Sequence, residues 1–280
     1  MHANLFALGA IALWATVATL GVALKHVPPF LLTGLSLLIG SILALPFVLK
    51  DRSQWRVRPS TLAVGVYGLF GFHFLLFIAL RTAPPVEANL VNYLWPLLIV
   101  VMAPLFLPGL QLRIIHIVAA LLGFAGAAIA ILGGSPGTGS GLGWSWGYLA
   151  ALGSAFIWAS YSLLTKRVGA FPTPAIGLFG LVSGVLSLLC HWAWEPAAAL
   201  SSDDLALIAL MGLGPLGAAF FLWDRALKLG DARHIGILSY LTPLASTTLL
   251  IASSGRPVTA GIVLAAVLII GAAVLGTRAH

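Results

Sequence analysis

Ten stretches of this chain are each about twenty residues long and nearly free of charge: 4–24, 29–49, 60–80, 86–107, 111–133, 144–165, 172–192, 203–224, 232–253 and 257–277. A helix needs about 20 mostly apolar residues to cross the hydrocarbon core of a bilayer. The links between the stretches are about ten residues at most, which leaves no soluble domain and makes sequence neighbours antiparallel neighbours. The period-two alternation of a transmembrane barrel is absent. The first stretch lacks the basic start and small-residue cleavage site of a signal peptide, so it reads as a retained helix. Composition agrees. Hydrophobic residues make up 60% of the chain and charged residues 8%, against about 25% charged in a soluble domain. That excludes a soluble enzyme, and so high an apolar content excludes a disordered chain. The single cysteine, Cys190, forms no internal disulfide and no metal cluster, so neither metal nor cofactor is expected. The sequence pI near 10.1 belongs to no basic face, so nucleic acid is not an expected partner. The lipid bilayer is.

The basic residues read instead as a topology signal. With the N-terminus cytoplasmic, Lys50, Arg52, Arg56, Arg58, Arg113, Lys166, Arg167, Arg225, Lys228, Arg233 and Arg278 fall inside, and only Lys25, Arg81 and Arg256 outside. Glu87, Glu195, Asp203 and Asp204 also fall outside. Both termini are therefore expected in the cytoplasm of a multi-pass inner-membrane protein.

The chain also matches itself. A shift of 144 lays Trp14 on Trp158, Pro28 on Pro172 and Gly40 on Gly184. A shift of 147 lays Ala79-Leu80-Arg81 on Ala226-Leu227-Lys228, and Tyr93-Leu94-Trp95-Pro96-Leu97 on Tyr240-Leu241-Thr242-Pro243-Leu244. Halves of five spans each, 1–137 and 138–280, must sit upside-down relative to one another. The expected fold is an all-α integral membrane protein of ten transmembrane helices in two inverted repeats, an architecture of transporters.

The segments Leu8-Gly9-Ala10-Ile11-Ala12-Leu13-Trp14-Ala15 and Ala155-Phe156-Ile157-Trp158-Ala159-Ser160 resemble helix starts of the drug/metabolite transporter superfamily, EamA-type branch. The stretch Glu87-Ala88-Asn89-Leu90-Val91-Asn92-Tyr93-Leu94-Trp95-Pro96-Leu97 is similar to the fourth helix of the YddG-type aromatic amino acid exporters. The resemblance implies helices around a central cavity and export of aromatic and other amino acids.

Residues for such a cavity follow from spacing. Asn89, Asn92, Tyr93 and Pro96 share one helix face, and amides with a phenol are too costly to turn toward lipid. The face lines a wet cavity or bonds a neighbouring helix. Pro96 frees the carbonyl of Asn92, and its counterpart Pro243 that of Ser239, which marks both prolines as hinge candidates. Ser154, Trp158, Tyr161, Ser162 and Thr165 form a second stripe. Trp55, Trp144, Trp146, Trp192 and Trp194 make the ordinary interfacial belt, whereas Trp14, Trp95, Trp158 and Trp223 lie deeper. His73, flanked by Phe70, Phe74 and Phe77, is the ionisable residue clearly inside a span. It bonds a neighbouring helix or donates to a substrate carboxylate. The expected binding set is His73, Phe77, Asn89, Asn92, Tyr93, Trp95, Trp158, Tyr161, Ser162, Ser239 and Tyr240.

No carboxylate stands mid-helix and no Arg/Lys cluster lies mid-span, so cationic and strongly anionic substrates fit badly. Asp224 and Arg225 are expected to close the inner end of the eighth span. A monomer exporting aromatic and other neutral amino acids by alternating access is the resulting expectation. A multidrug or other metabolite exporter of the same fold is the alternative. An intramembrane hydrolase built on Ser154 and His73 lacks an orienting carboxylate.

Overall fold

The computed structural model describes residues 2–133, 145–254 and 259–277. Trp144, Arg256, Arg278 and the expected boundary at 137/138 lie outside the described residues. Within them, all regular structure is helical. Eight helices are long and apolar enough to cross a membrane. These are α1 (His2–Ala23), α2 (Pro29–Lys50), α3 (Pro59–Thr82), α4 (Pro85–Phe106), α5 (Ile114–Gly133), α6 (Trp146–Leu164), α7 (Ala175–Trp194) and α8 (Ser202–Leu229). Three more follow: α9 (Ala232–Leu238), α10 (Leu241–Ser254) and α11 (Ala260–Thr277). Local chemistry fixes the starts. Proline opens α2, α3 and α4, where its missing N–H costs nothing. A capping box between Ser201 and Asp204 opens α8.

Besides a turn at Thr16 in α1 and a 3-10 turn at Ile42–Ala44 in α2, four interruptions shape the interior. The helix α4 breaks at Tyr93–Leu94, one turn before Pro96, where the Leu94 amide reaches back only three residues to the Val91 carbonyl at 3.1 Å. The break between α9 and α10 at Ser239–Tyr240 lies one residue further ahead of Pro243. Contrary to the sequence reading, the Ser239 carbonyl is not free, because the Thr242 amide donates to it at 2.9 Å. Within α3 and α8, π-helical turns occupy Tyr67–Gly71 and Gly214–Ala218. A π-turn inserts one residue and leaves backbone carbonyls without their usual partner.

The principal contacts pair α5 with α11, α2 with α7, α3 with α6 and α1 with α8. Close approach of α2 and α8 depends on glycine. A Cβ on Gly40 would stand 2.8 Å from the Gly212 carbonyl oxygen and the Gly217 Cα, backbone atoms that have no rotamer to yield.

The two ends of the bundle differ in charge. The link between α6 and α7 meets that between α8 and α9, where Lys166 Nζ donates to the Leu227 and Gly230 carbonyls at 2.7 Å each. Arg233 Nη1 reaches the Gln111 carbonyl at 2.6 Å, and Trp55 Nε1 the Pro174 carbonyl at 2.9 Å. A Cβ on Gly230 would touch Ala3, so the chain start lies at this basic end too. Since α8 runs on to Leu229, Asp224 and Arg225 do not close it as expected. Asp224 is buried, paired with Lys228 Nζ at 2.7 Å and accepting from Thr173 Oγ1 at 2.7 Å. The Arg225 guanidinium lies 5.7 Å from the Phe6 ring centroid instead. At the opposite end Glu195, which the sequence placed in an outer loop, is buried against the start of α2. Its carboxylate accepts from the Phe30 amide at 3.0 Å and the Leu31 amide at 3.2 Å, and pairs with Arg81 Nη2 at 2.6 Å. Orphan amides and the positive end of the helix dipole draw it there.

Candidate functional site

A cavity of about 530 Å³ opens at the end opposite the chain start, between Lys25, Val27 and Pro29 and the last turn of α3 at Leu80 and Arg81. Apolar side chains form most of its wall. Its floor is aromatic: Trp14 from α1, Trp95 from α4, Trp158 from α6 and Phe220 from α8. The Trp14 ring centroid lies 6.4 Å from that of Trp95, 5.8 Å from Trp158 and 6.2 Å from Phe220, each edge to face. Trp223 backs them at 5.2 Å from Trp14. Edge-to-face pairs contribute about 0.5–1.5 kcal/mol each beyond the area they bury, so the rings form a cohesive plug. Polar groups hold it in place. Trp14 Nε1 donates to the Pro215 carbonyl of the α8 π-turn at 3.1 Å, and Trp223 Nε1 to Ser162 Oγ at 3.2 Å.

Below the mouth, His73, Asn89, Asn92, Tyr93, Thr33 and Thr242 bring polar groups to the apolar wall. His73 is buried, and its Nδ1 lies 2.7 Å from the Leu69 carbonyl, a member of the α3 π-turn. A carbonyl only accepts, so Nδ1 carries the hydrogen. In the neutral ring that leaves Nε2 as a lone-pair acceptor, with no partner among the described residues. The carboxylate-donor role read from the sequence would need the doubly protonated ring. On Asn92, Oδ1 shares the Ser154 hydroxyl hydrogen, at 2.7 Å, with the Ala151 carbonyl at 2.8 Å. The two Asn92 amide hydrogens have no partner among the described residues.

The rings around His73 also differ from the expected ones. Its neighbours are Phe72 at 5.0 Å, Phe77 at 6.1 Å and Phe220 at 6.3 Å. Phe70 and Phe74 pair with each other at 5.6 Å, and Phe74 packs on Phe30 and Trp194. The inserted residue of the π-turn rotates Phe70 away from the face that regular helical spacing assigns to it.

Of the residues singled out from the sequence, His73, Phe77, Asn89, Asn92, Tyr93, Trp95 and Trp158 meet on this one wall. Tyr161, Ser162, Ser239 and Tyr240 stand off it. The plug ends the cavity at Trp158, so the next turn of α6 lies beyond it. Tyr161 there packs on Trp158 at 5.3 Å and covers Gly68, whose Cβ would meet the phenol ring at 2.2 Å. Ser239 Oγ bonds back to the Gly236 carbonyl at 2.6 Å, and Tyr240 is enclosed against Gly123 of α5. Thr242 takes their place on the wall. Both proline candidates flank the cavity through their helix breaks. Thr33, Phe72, Thr242 and Phe220 were missed from the sequence. The 147-residue shift pairs Phe220 with His73, and 144 pairs Trp14 with Trp158, signals that could have found two wall residues. Ser154 is committed to Asn92 and Ala151, so it makes no hydrolase-type pair with His73.

The profile of the EamA-like transporter family matches residues 1–132 and 145–278. A protein of Ancylobacter novellus named "Aromatic amino acid exporter YddG" is 41% identical, over 98% of this chain and 96% of its own length. A Salmonella typhimurium protein of the same name is 29% identical over 88% of this chain and 87% of its own. A solved structure titled "Crystal structure of protein" superposes with a TM-score of 0.91 at 39% identity, covering 99% of this chain and 96% of that one.

Proposed function

The chain belongs to the EamA-like transporter family, and on that premise we propose that it exports aromatic and other neutral amino acids across the bacterial inner membrane. The observation that carries the reading is the cavity: an indole floor beneath a small polar patch of opposed hydrogen-bonding character. A free amino acid presents an ammonium, a carboxylate and one side chain. The His73 Nε2 lone pair suits the ammonium, and the Asn92 amide hydrogens suit the carboxylate. Trp14, Trp95 and Trp158 offer edges and faces to an aromatic side chain. The printed name of the Ancylobacter novellus relative points the same way.

Transport proceeds by alternating access between two inverted halves. Support for the halves comes from the elements themselves. The two π-turns, Tyr67–Gly71 and Gly214–Ala218, are offset by the 147 residues that align the sequence, as are the last turns of α3 and α8. The family profile matches twice, in stretches that begin 144 residues apart. Exchanging the halves turns the α3–α6 contact into α8–α1, and leaves α2–α7 and α5–α11 mapped on themselves. Ten spans follow if α9 and α10 together cross once and α11 crosses once, as the two parts of α4 do. With the basic end and both termini in the cytoplasm, the cavity faces outward and the tryptophan plug shuts the inner side. The paired breaks at Pro96 and Pro243 are then the hinges.

Counterflow into proteoliposomes holding purified full-length chain tests the reading. Radiolabelled phenylalanine or tryptophan should enter against an unlabelled internal pool, and an excess of unlabelled aromatic amino acid should abolish the signal. Equal flux in empty and protein-bearing vesicles for every amino acid tried would refute it.

A further inference from the structure

We propose that the basic end carries a second site, for a phosphate-bearing anion, in the crevice between the α2–α3 and α6–α7 links. The crevice measures about 230 Å³ and is lined by Arg56, Arg58 and Thr61 on one side and by Gly169 and Phe171 on the other. Neither guanidinium makes a hydrogen bond or a close ion pair among the described residues. The one acid on the same link, Asp51, is engaged elsewhere. It accepts from the Ser53 amide at 2.9 Å, the Ser53 hydroxyl at 2.7 Å and Gln54 Nε2 at 2.9 Å. Two guanidiniums therefore line a crevice whose own wall carries no acid, and Asp51 answers Arg56 only from outside it.

Thr61 supplies an independent pointer. It is 2% exposed and lines the crevice, yet its hydroxyl has no partner among the described residues. What little of Thr61 is exposed opens onto the crevice, so a ligand oxygen there would find a hydroxyl with no competing protein partner. Thr61 is the third residue of α3, after Pro59 and Ser60. The same position in α8 holds Asp204, whose carboxylate takes the Ser201 amide at 2.9 Å and His26 Nε2 at 3.0 Å. The start of α8 thus carries its own anion, and the start of α3 offers a hydroxyl and two cations where one would sit. The Thr61 and Leu62 amides are already turned onto the Arg58 carbonyl, at 2.9 and 3.0 Å, so forked guanidinium donors and a hydroxyl are what the crevice offers. Together they ask for several acceptor oxygens on one centre, which is phosphate chemistry.

Its source is either a lipid headgroup or free phosphate. Nearby, α2 exposes Phe47 and Leu49, and Trp55 is half-buried on the link itself. These are features of the membrane interface, the level at which headgroup phosphates lie. The crevice also shares a wall with the contacts that close the basic end. Lys228 Nζ donates to the Phe171 carbonyl at 2.9 Å and sits 4.0 Å from the Phe171 ring centroid. An occupant would tie the two links together and favour the closed state of that end. Occupation of this crevice does not depend on which solute the central cavity carries.

Delipidated full-length protein in a neutral detergent would be titrated with phosphatidylglycerol, phosphatidylcholine or inorganic phosphate. Native mass spectrometry and the thermal midpoint are the readouts. Saturable binding and a raised midpoint are expected with phosphatidylglycerol or phosphate, and not with phosphatidylcholine. Arg56→Gln with Arg58→Gln should weaken the apparent affinity about thirtyfold, and Thr61→Val severalfold. Arg52→Gln, on the same link but off the crevice, should change nothing. Phosphatidylglycerol binding that phosphate cannot displace assigns the headgroup, and displacement assigns a soluble anion. Should the double variant unfold without ligand, Thr61→Val decides alone. Equal binding of both lipids, wild-type affinity in the folded variants, or no saturable binding overturns the proposal.

Discussion

The two nitrogens of His73 have separate partners, so two substitutions can remove them one at a time. Asparagine places an amide N–H near the position of Nδ1, and glutamine places a carbonyl oxygen near that of Nε2. His73→Asn should keep the bond to the Leu69 carbonyl, now 2.7 Å, and lose the acceptor facing the cavity. A hydrogen bond to a charged group contributes about 1.5–3 kcal/mol, so amino acid affinity should fall about 10- to 150-fold with little change in thermal midpoint. His73→Gln should do the converse. The Leu69 carbonyl loses its partner in a buried π-turn, costing about 1–3 kcal/mol of stability, while affinity stays within severalfold of wild type. Isothermal titration of purified protein with tryptophan, beside thermal unfolding in the same detergent, reads both quantities. If His73→Asn binds tryptophan as tightly as wild type, or if both variants lose affinity equally, the ammonium-acceptor role is wrong.

Removing the plug's central ring by Trp158→Ala should weaken aromatic amino acid transport about tenfold, or about 1.4 kcal/mol, and alanine or threonine less. Unchanged competition by all of these in counterflow would remove Trp158 from the site. Glu195→Ala orphans the Phe30 and Leu31 amides and should cost about 1–3 kcal/mol, seen as a lower thermal midpoint. A wild-type midpoint would mean that water caps α2 equally well. Replacing Pro96 or Pro243 with Ala should slow transport more than it changes equilibrium affinity, and wild-type flux in both would make the breaks passive. In a Cys190→Ser background, Ser53→Cys should resist a membrane-impermeant thiol reagent on intact cells, and ready labelling would invert the orientation.

The helices were legible because each rests on a composition that only a bilayer tolerates, and their starts and breaks because proline acts locally. What the sequence hid was carried by single residues of register. Phe70 sits three positions before His73 and should share its face, but the π-turn at Tyr67–Gly71 turns it aside. Nothing in that stretch announces a π-turn. Tyr161 and Ser162 do follow the inward stripe of α6, yet the depth at which the tryptophans meet decides that they fall beyond the cavity. Glu195 and Asp224 looked like ordinary end charges because their partners, Phe30 and Thr173, are remote in the chain or across a helix interface. Period and composition report which way a residue faces, and they are silent on where along the axis a chamber stops.

A chamber of about 530 Å³ with an open mouth holds many water molecules when no amino acid is seated. Most of its wall gives those molecules nothing to bond to, so they are loosely held and lose enthalpy relative to bulk. Seating an amino acid returns many of them to bulk water at once. Binding should therefore show a negative heat-capacity change and a favourable enthalpy near 25 °C, the signature of an apolar guest entering a poorly hydrated host. Osmolytes too large to enter the mouth should tighten it, since they lower the activity of the water that must leave.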